Sequence, residues 1–264
     1  MRNRSLFAPV GLAALALVLS AGRVSAETRD TSVPNNFVNV YVGFTSVNNT
    51  DVKTTGNDAS WIGQTAGKPF VFNMKNLKQE NTVWGGFGGG HWFKQAPVSI
   101  GVSGTMDFFS AVIKDQTTGN FTSVVNGVDT TKNFSSYTKY HTEVMQMVPG
   151  VNLLVGVPLK FARVYGGIGP GMFMSFYTFT MRNRIGGPAT GYATAMDTKI
   201  GYNAFVGADV FIARHWSVFV EGKYSEVNDL AFTPAPSQVG GRNITDTYSS
   251  IKTQRLAIGG SYHF

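Results

Sequence analysis

The chain has 264 residues, 43% of them hydrophobic and only 14% charged, with a formal charge of +7 and no cysteine. No basic block stands out, which argues against nucleic-acid binding. The lack of cysteine excludes a disulfide-stapled fold.

Residues 1–26 read as a secretory signal peptide. Arg2 and Arg4 give a basic start, Leu6 to Leu19 an apolar stretch too short to span a bilayer, and Val24-Ser25-Ala26 a small-x-small cleavage site. Cleavage there removes Arg2, Arg4 and Arg23 and no acid, so the formal charge falls from +7 to about +4. Residues 27–35 are expected to form a short periplasmic segment, and 36–264 a single barrel domain.

Beyond residue 35 the chain predicts eight strands. The first is Phe37–Val47, followed by a long polar loop, Asn48 to Glu80, that either extends the hairpin or touches a partner. The second strand, Thr82–Phe93, turns tightly at Lys94–Pro97 into the third, Val98–Ile113. A loop rich in Gly, Asn and Thr leads to about Phe134 and the fourth strand, Tyr137–Val157. A turn at Pro158–Ala162 precedes the fifth, Arg163–Met181, and the loop NRIGGPATGYATAM follows it. The sixth, Asp197–Ile212, turns at ARHW into the seventh, Trp216–Ser225. A loop to Asp246 leads to the eighth, Tyr248–Phe264.

The strands alternate with a period of two. Val98, Ile100, Val102, Met106 and Phe108 share one face, and Ser99, Gly101, Ser103, Thr105 and Asp107 the other. The strands are longer than those of ordinary soluble sheets, and long loops alternate with short turns. These features predict an all-β fold: an eight-stranded antiparallel up-and-down transmembrane barrel with four long extracellular loops and short periplasmic turns. In the fourth strand, Lys139, His141 and Glu143 share parity with outward Val151, Leu153, Val155 and Val157. Either a bulge at Pro149-Gly150 switches the parity, or those charges lie above the membrane.

YGGIGPGMFMSFY and the order around it, VPLK before and FVGADVFIARHWSVFVEGKYSE after, resemble the eight-stranded outer-membrane barrels of the OmpA/OmpX/opacity type. The resemblance covers nearly all of residues 35–264. It implies an outer-membrane location, with lipid and lipopolysaccharide around the barrel. It also implies a C-terminal assembly signal read by the barrel-assembly machinery, matched here by Leu256, Ile258, Tyr262 and Phe264, with Gly260 breaking the series.

The polar face carries Asp107, Lys199, Asp209, Glu221, Lys223 and Arg255. They are expected to form a paired network inside the barrel, with a bridge between Glu221 and Arg255. A gate or ion path is the functional alternative. His215-Trp216-Ser217 with Glu221 invites a lipid-hydrolase reading, which its place in a periplasmic turn disfavours. GGFGGG and GGIGPG precede no helical pattern and are no dinucleotide loops. His91, His141, His215 and His263 lack ligand spacing, so no metal or cofactor is expected. Two aromatic rings are expected at the interfaces: Trp92, Phe93, Phe161, Tyr165, Trp216, Tyr262 and Phe264 near the turns, and Phe108, Phe109, Phe176, Tyr177, Phe179 and Tyr224 near the loops. The expected function is non-enzymatic, a structural surface barrel whose loops are available to an extracellular ligand or surface. A small channel is the alternative, and a lipid-modifying enzyme is less favoured.

Overall fold

A computed structural model describes residues 34–94, 97–133, 137–139, 141–182 and 189–264. Residues 1–33, on which the expected signal peptide and most of the expected periplasmic segment fall, lie outside the described residues. In chain order the strands are β1 (Asn36–Val47), β2 (Thr50–Gly56), β3 (Phe70–Leu77), β4 (Thr82–Lys94), β5 (Ser99–Ile113), β6 (Gln116–Thr118) and β7 (Phe121–Val125). Then come β8 (Val128–Asp129), β9 (Tyr137–Lys139), β10 (Thr142–Pro158), β11 (Ala162–Arg182), β12 (Ala189–Ala213), β13 (Trp216–Phe232) and β14 (Ile244–His263). Eight of them, β1, β4, β5 and β10 to β14, form an antiparallel ring closed by pairing of β1 with β14.

The register fixes the barrel's shape. Asn36 pairs with His91, His91 with Val102, Val102 with Leu153, and Leu153 with Ile168. Ile168 pairs with Ala204, Ala204 with Tyr224, and Tyr224 with Gln254. Yet Asn36 itself lies beside Phe264, whose N–H donates to its carbonyl at 3.0 Å. One circuit therefore climbs ten residues along β14. With eight strands, that stagger tilts the strands about 40° from the axis and leaves an interior that side chains can fill.

Period-two alternation sets the two faces. Val38, Val40, Val42, Phe44, Ile258 and Ile212 are among the exposed apolar residues of the outer wall, while Ser103, Asp107, Asn203 and Arg255 point inward and are buried. The run GGFGGG is a steric consequence of that inner face. A Cβ on inward Gly86 would stand 2.6 Å from the Tyr41 ring, so glycine is what lets Tyr41 cross the lumen.

Two expectations change and two open alternatives are resolved. First, β10 pairs with β5 in one unbroken register from Thr142 to Gly156, so Pro149-Gly150 carries no bulge and the parity never switches. The charges instead lie at the loop end: Glu143 points outward near the top of β10, and Lys139 sits in β9, buried against Asp246. Second, ATGYATAM belongs to β12, not to a loop. Third, the polar loop after β1 takes the first of its two expected readings, extending the hairpin, and is mostly sheet. The pairing of β1 with β14 continues in the same register through β2, from Phe37 opposite His263 to Gly56 opposite Ile244. β3 then pairs with β2, and β7 with β3. This upward continuation of the wall closes over a core of Val52, Phe70, Phe72, Leu77, Leu230 and Phe232, all buried. Each such side chain contributes about 1.5–3 kcal/mol.

Fourth, the aromatic rings are incomplete. Phe93, Phe161, Trp216, Tyr262 and Phe264 are exposed near the turns, and Phe108 and Phe176 near the loops. Trp92, Tyr165, Phe109, Tyr177 and Phe179 are buried inside, because neighbouring residues of a strand face opposite ways.

Candidate functional site

The lumen is filled by tiers of polar side chains held between aromatic rings. In the middle tier Asp107 accepts from the Tyr41 hydroxyl at 2.7 Å and pairs with Lys223 at 2.5 Å and Arg255 at 3.3 Å. These residues come from β5, β1, β13 and β14, so the cluster spans the barrel. The Arg255 guanidinium lies between the rings of Trp84 and Phe109, 4.6 and 4.4 Å from their centroids. It also donates to the Ser225 hydroxyl, which donates to Asn203 Oδ1 at 2.5 Å. Stacking on two faces and bonding at the edge suit a planar guanidinium, which an ammonium could not replace.

A lower tier stands nearer the turns. Arg163 is fully buried with its guanidinium 4.3 Å from the Trp92 ring centroid, and its register partner across β11 and β12 is Asp209. Between the two tiers lies a cavity of about 30 Å³, lined in part by Asn39, Ser103, Thr105, Tyr165 and Glu221. That volume suits a water molecule, not a solute. Glu221 is half-buried there and accepts from the Tyr165 hydroxyl at 3.1 Å.

The upper tier lies above the membrane-spanning segments. Asp246 accepts from Lys139 at 2.6 Å and from the hydroxyls of Thr54 and Tyr177. Burial pushes its carboxyl up, but Lys139 and the hydrogen bonds hold it below the usual carboxylate range.

Of the expected network, Asp107, Asp209, Lys223 and Arg255 are buried, and Glu221 lines the cavity beside them. Arg255 pairs with Asp107, whereas the side-chain partner of Glu221 is Tyr165. Lys199 is exposed. It has inward parity, but the pairing of β12 with β13 stops at Tyr202 opposite Glu226, and Lys199 lies above that point. Beyond it the two strands part, and Asp229 of β13 takes a left-handed φ of 55°. Side chains bridge the seam. Asp197 Oδ1 accepts from the Thr198 N–H and Oδ2 from the Ala231 N–H, both at 2.8 Å. Gln238 accepts from the Thr194 N–H at 3.1 Å.

Ser217 and His263 do meet, with Oγ 3.0 Å from Nε2, but both are buried at the turn end of the lumen. His215 Nδ1 donates to the His263 carbonyl at 2.7 Å, which fixes the rim and not a nucleophile. Among the described residues no group of three or more His, Cys, Asp or Glu is placed to hold a metal ion.

Arg163 and Tyr41 carry much of the lumen and were not singled out in the sequence. Their signal is parity: each shares its inward face with glycines and small polar residues.

No protein-family model matches the chain, and no curated protein matches it. Among solved structures, the outer membrane protein OprG from Pseudomonas aeruginosa is similar with a TM-score of 0.51 and 13% identity, covering 89% of this chain and 99% of that one. The chain has the fold of an outer-membrane β-barrel protein. The outer membrane protease OmpT from Escherichia coli aligns with a TM-score of 0.44 at 10% identity, over 90% of this chain and 98% of that one. Neisserial surface protein A aligns with a TM-score of 0.37 at 10% identity, over 85% of this chain and 97% of its own length.

Proposed function

We propose that this barrel is a non-enzymatic outer-membrane protein whose role is carried by its extracellular face. In this reading it is exported by its signal peptide and assembled through its C-terminal strand. It then stands in lipid and lipopolysaccharide, with β2, β3 and β7 presented to the exterior.

The observation that carries the reading is how the two halves are built. The lumen is blocked by stacked arginine tiers, so transport has little room. The cap above it is a folded sheet whose apolar core runs on from the lumen's aromatics, and its outer face is largely polar. A groove of about 360 Å³ there is lined by Lys53, Asn73, Lys75, Thr122, Thr247 and Ser249, among others. Rigid sheet bearing mixed hydrogen-bonding groups and lysines suits recognition of a hydrophilic surface.

Two measurements test this. Purified protein in planar bilayers is expected to give no steady current, and steady single-channel conductance would favour the channel reading. Cells displaying the barrel are expected to bind an immobilised glycan or protein panel through residues 50–77, with the binding lost on replacing Lys53 and Lys75 by Glu. Fatty-acid release from lipopolysaccharide by the pure protein would overturn the non-enzymatic reading.

A further inference from the structure

Methionine is unevenly distributed on this barrel. Six of the chain's nine, Met106, Met145, Met147, Met172, Met174 and Met196, occupy outward positions on β5, β10, β11 and β12. On β1, β13 and β14 the exposed apolar residues are Val, Ile, Leu and aromatics. Apolarity alone is thus met elsewhere without sulfur.

Two short motifs build the cluster, Met145-Gln-Met147 on β10 and Met172-Phe-Met174 on β11. Strand periodicity turns both members of each motif to the same face. Register then joins the motifs, because Met147 stands directly opposite Met174. Direct partners have Cβ atoms about 4.5–5.5 Å apart and diagonal ones about 7–8 Å, within reach of flexible thioether side chains. Phe176 lies opposite both Met145 and Met196 and bounds the patch above.

The patch sits high. On β14 the outward polar residues begin at Gln254 and on β13 at Glu226, which takes hydrogen bonds from Tyr202 at 2.9 Å and Tyr224 at 2.6 Å and an ion pair from Lys252 at 3.2 Å. The register runs from Glu226 through Tyr202 to Pro170. Strand tilt brings Met172 to about the height of Glu226, leaving Met145, Met174 and Met196 above the apolar band. Met145 is 53% exposed, Met172 39% and Met196 56%. Met147 and Met174 are half-buried between them, so the thioethers stand at the edge of the aqueous headgroup layer.

Thioether is a soft, neutral ligand that selects Cu(I) over Zn(II), Mg(II) or Ca(II). We propose that the directly opposed Met147 and Met174, joined on the diagonals by Met145 or Met172, form a surface site for a soft monovalent cation, Cu(I), at the outer rim of the barrel. The site draws on the pairing of β10 with β11, so a folded barrel presents it ready-made.

Titration of the purified barrel in detergent with Ag(I), a redox-stable probe of the same ligand preference, tests the proposal. The wild type is expected to bind about one equivalent tightly, with no competition from excess Zn(II). Affinity is expected to fall roughly tenfold or more in M147L/M174L, and further in M145L/M147L/M172L/M174L. Leu keeps the apolar volume, and unchanged heat-modifiable mobility shows that the variants fold. Equal Ag(I) uptake by wild type and the quadruple variant overturns the site, as does no uptake by the wild type. A change of oligomeric state in the variants without a change in Ag(I) uptake also overturns it, and marks the patch as a contact between copies.

Discussion

Tyr41 and Asp107 stand 66 positions apart and meet inside the barrel, the phenol donating to the carboxylate at 2.7 Å. The same carboxylate faces Lys223 and Arg255, so one acid balances two bases in a space without bulk water. Removing it leaves two like charges buried together. Asp107→Asn is expected to destabilise the barrel by about 3–5 kcal/mol. Tyr41→Phe, which removes one hydrogen bond, is expected to lower stability by about 1–2 kcal/mol. Urea unfolding in lipid vesicles measures both, and equal effects would contradict this hierarchy.

A double-mutant cycle separates the real pair from the one that strand neighbourhood suggests. Asp107 and Arg255 should couple by about 1–3 kcal/mol, and Glu221 and Arg255 by much less. Coupling in the reverse order would show that Arg255 prefers the lower acid.

Above the membrane, Asp58 ties the hairpin tip to the β13–β14 loop. It accepts from the Gly67 N–H at 2.9 Å and pairs with Arg242 at 3.0 Å. The Gly67 N–H, then Ser60, hold its carboxyl well below the usual range. A depressed folded value stabilises the latch at pH above the unfolded value, about 3.9, and the effect is lost as pH falls toward the folded value. Proteolysis between β2 and β3 should therefore be flat from neutrality to about pH 5 and rise only in stronger acid. Asp58→Asn should show the acid behaviour at pH 7.

The seam between β12 and β13 makes a local prediction. Asp197→Ala removes the acceptor for the Ala231 N–H while leaving the ladder below Tyr202 and Glu226 intact. Amide exchange at Ala231 should accelerate, and exchange at Val220 should not. Uniform acceleration would mean that Asp197 supports the whole wall.

Parity made much of this barrel readable in advance. Asp107, Lys223 and Arg255 alternate with Phe108, Tyr224 and Leu256, and a period of two can only send them to opposite faces. Partners were not readable, because they depend on a stagger accumulated over eight strands. Glu221 and Arg255 lie on paired strands, yet the stagger turns Arg255 toward β5. Lys199 has lumen parity but lies where β12 has lost its neighbour. Trp92 and Tyr165 suit an interface by composition, and only their position in the pleat sends them inside. For residues 48–80 the sequence leaves a hairpin extension and a partner-binding loop both open, because Thr, Asn and Lys on the outer face mask the alternation of Val52, Phe70, Phe72 and Met74.

Strand β14 holds β1 along its lower half and β2 along its upper half in one continuous register. That strand is thus the template for the extracellular sheet as well as the closing edge of the ring. Because β2 takes its outer neighbour from β14, the external sheet has its full pairing only in the closed ring. Protease resistance at residues 50–77 becomes a clock for closure, readable from outside an intact cell.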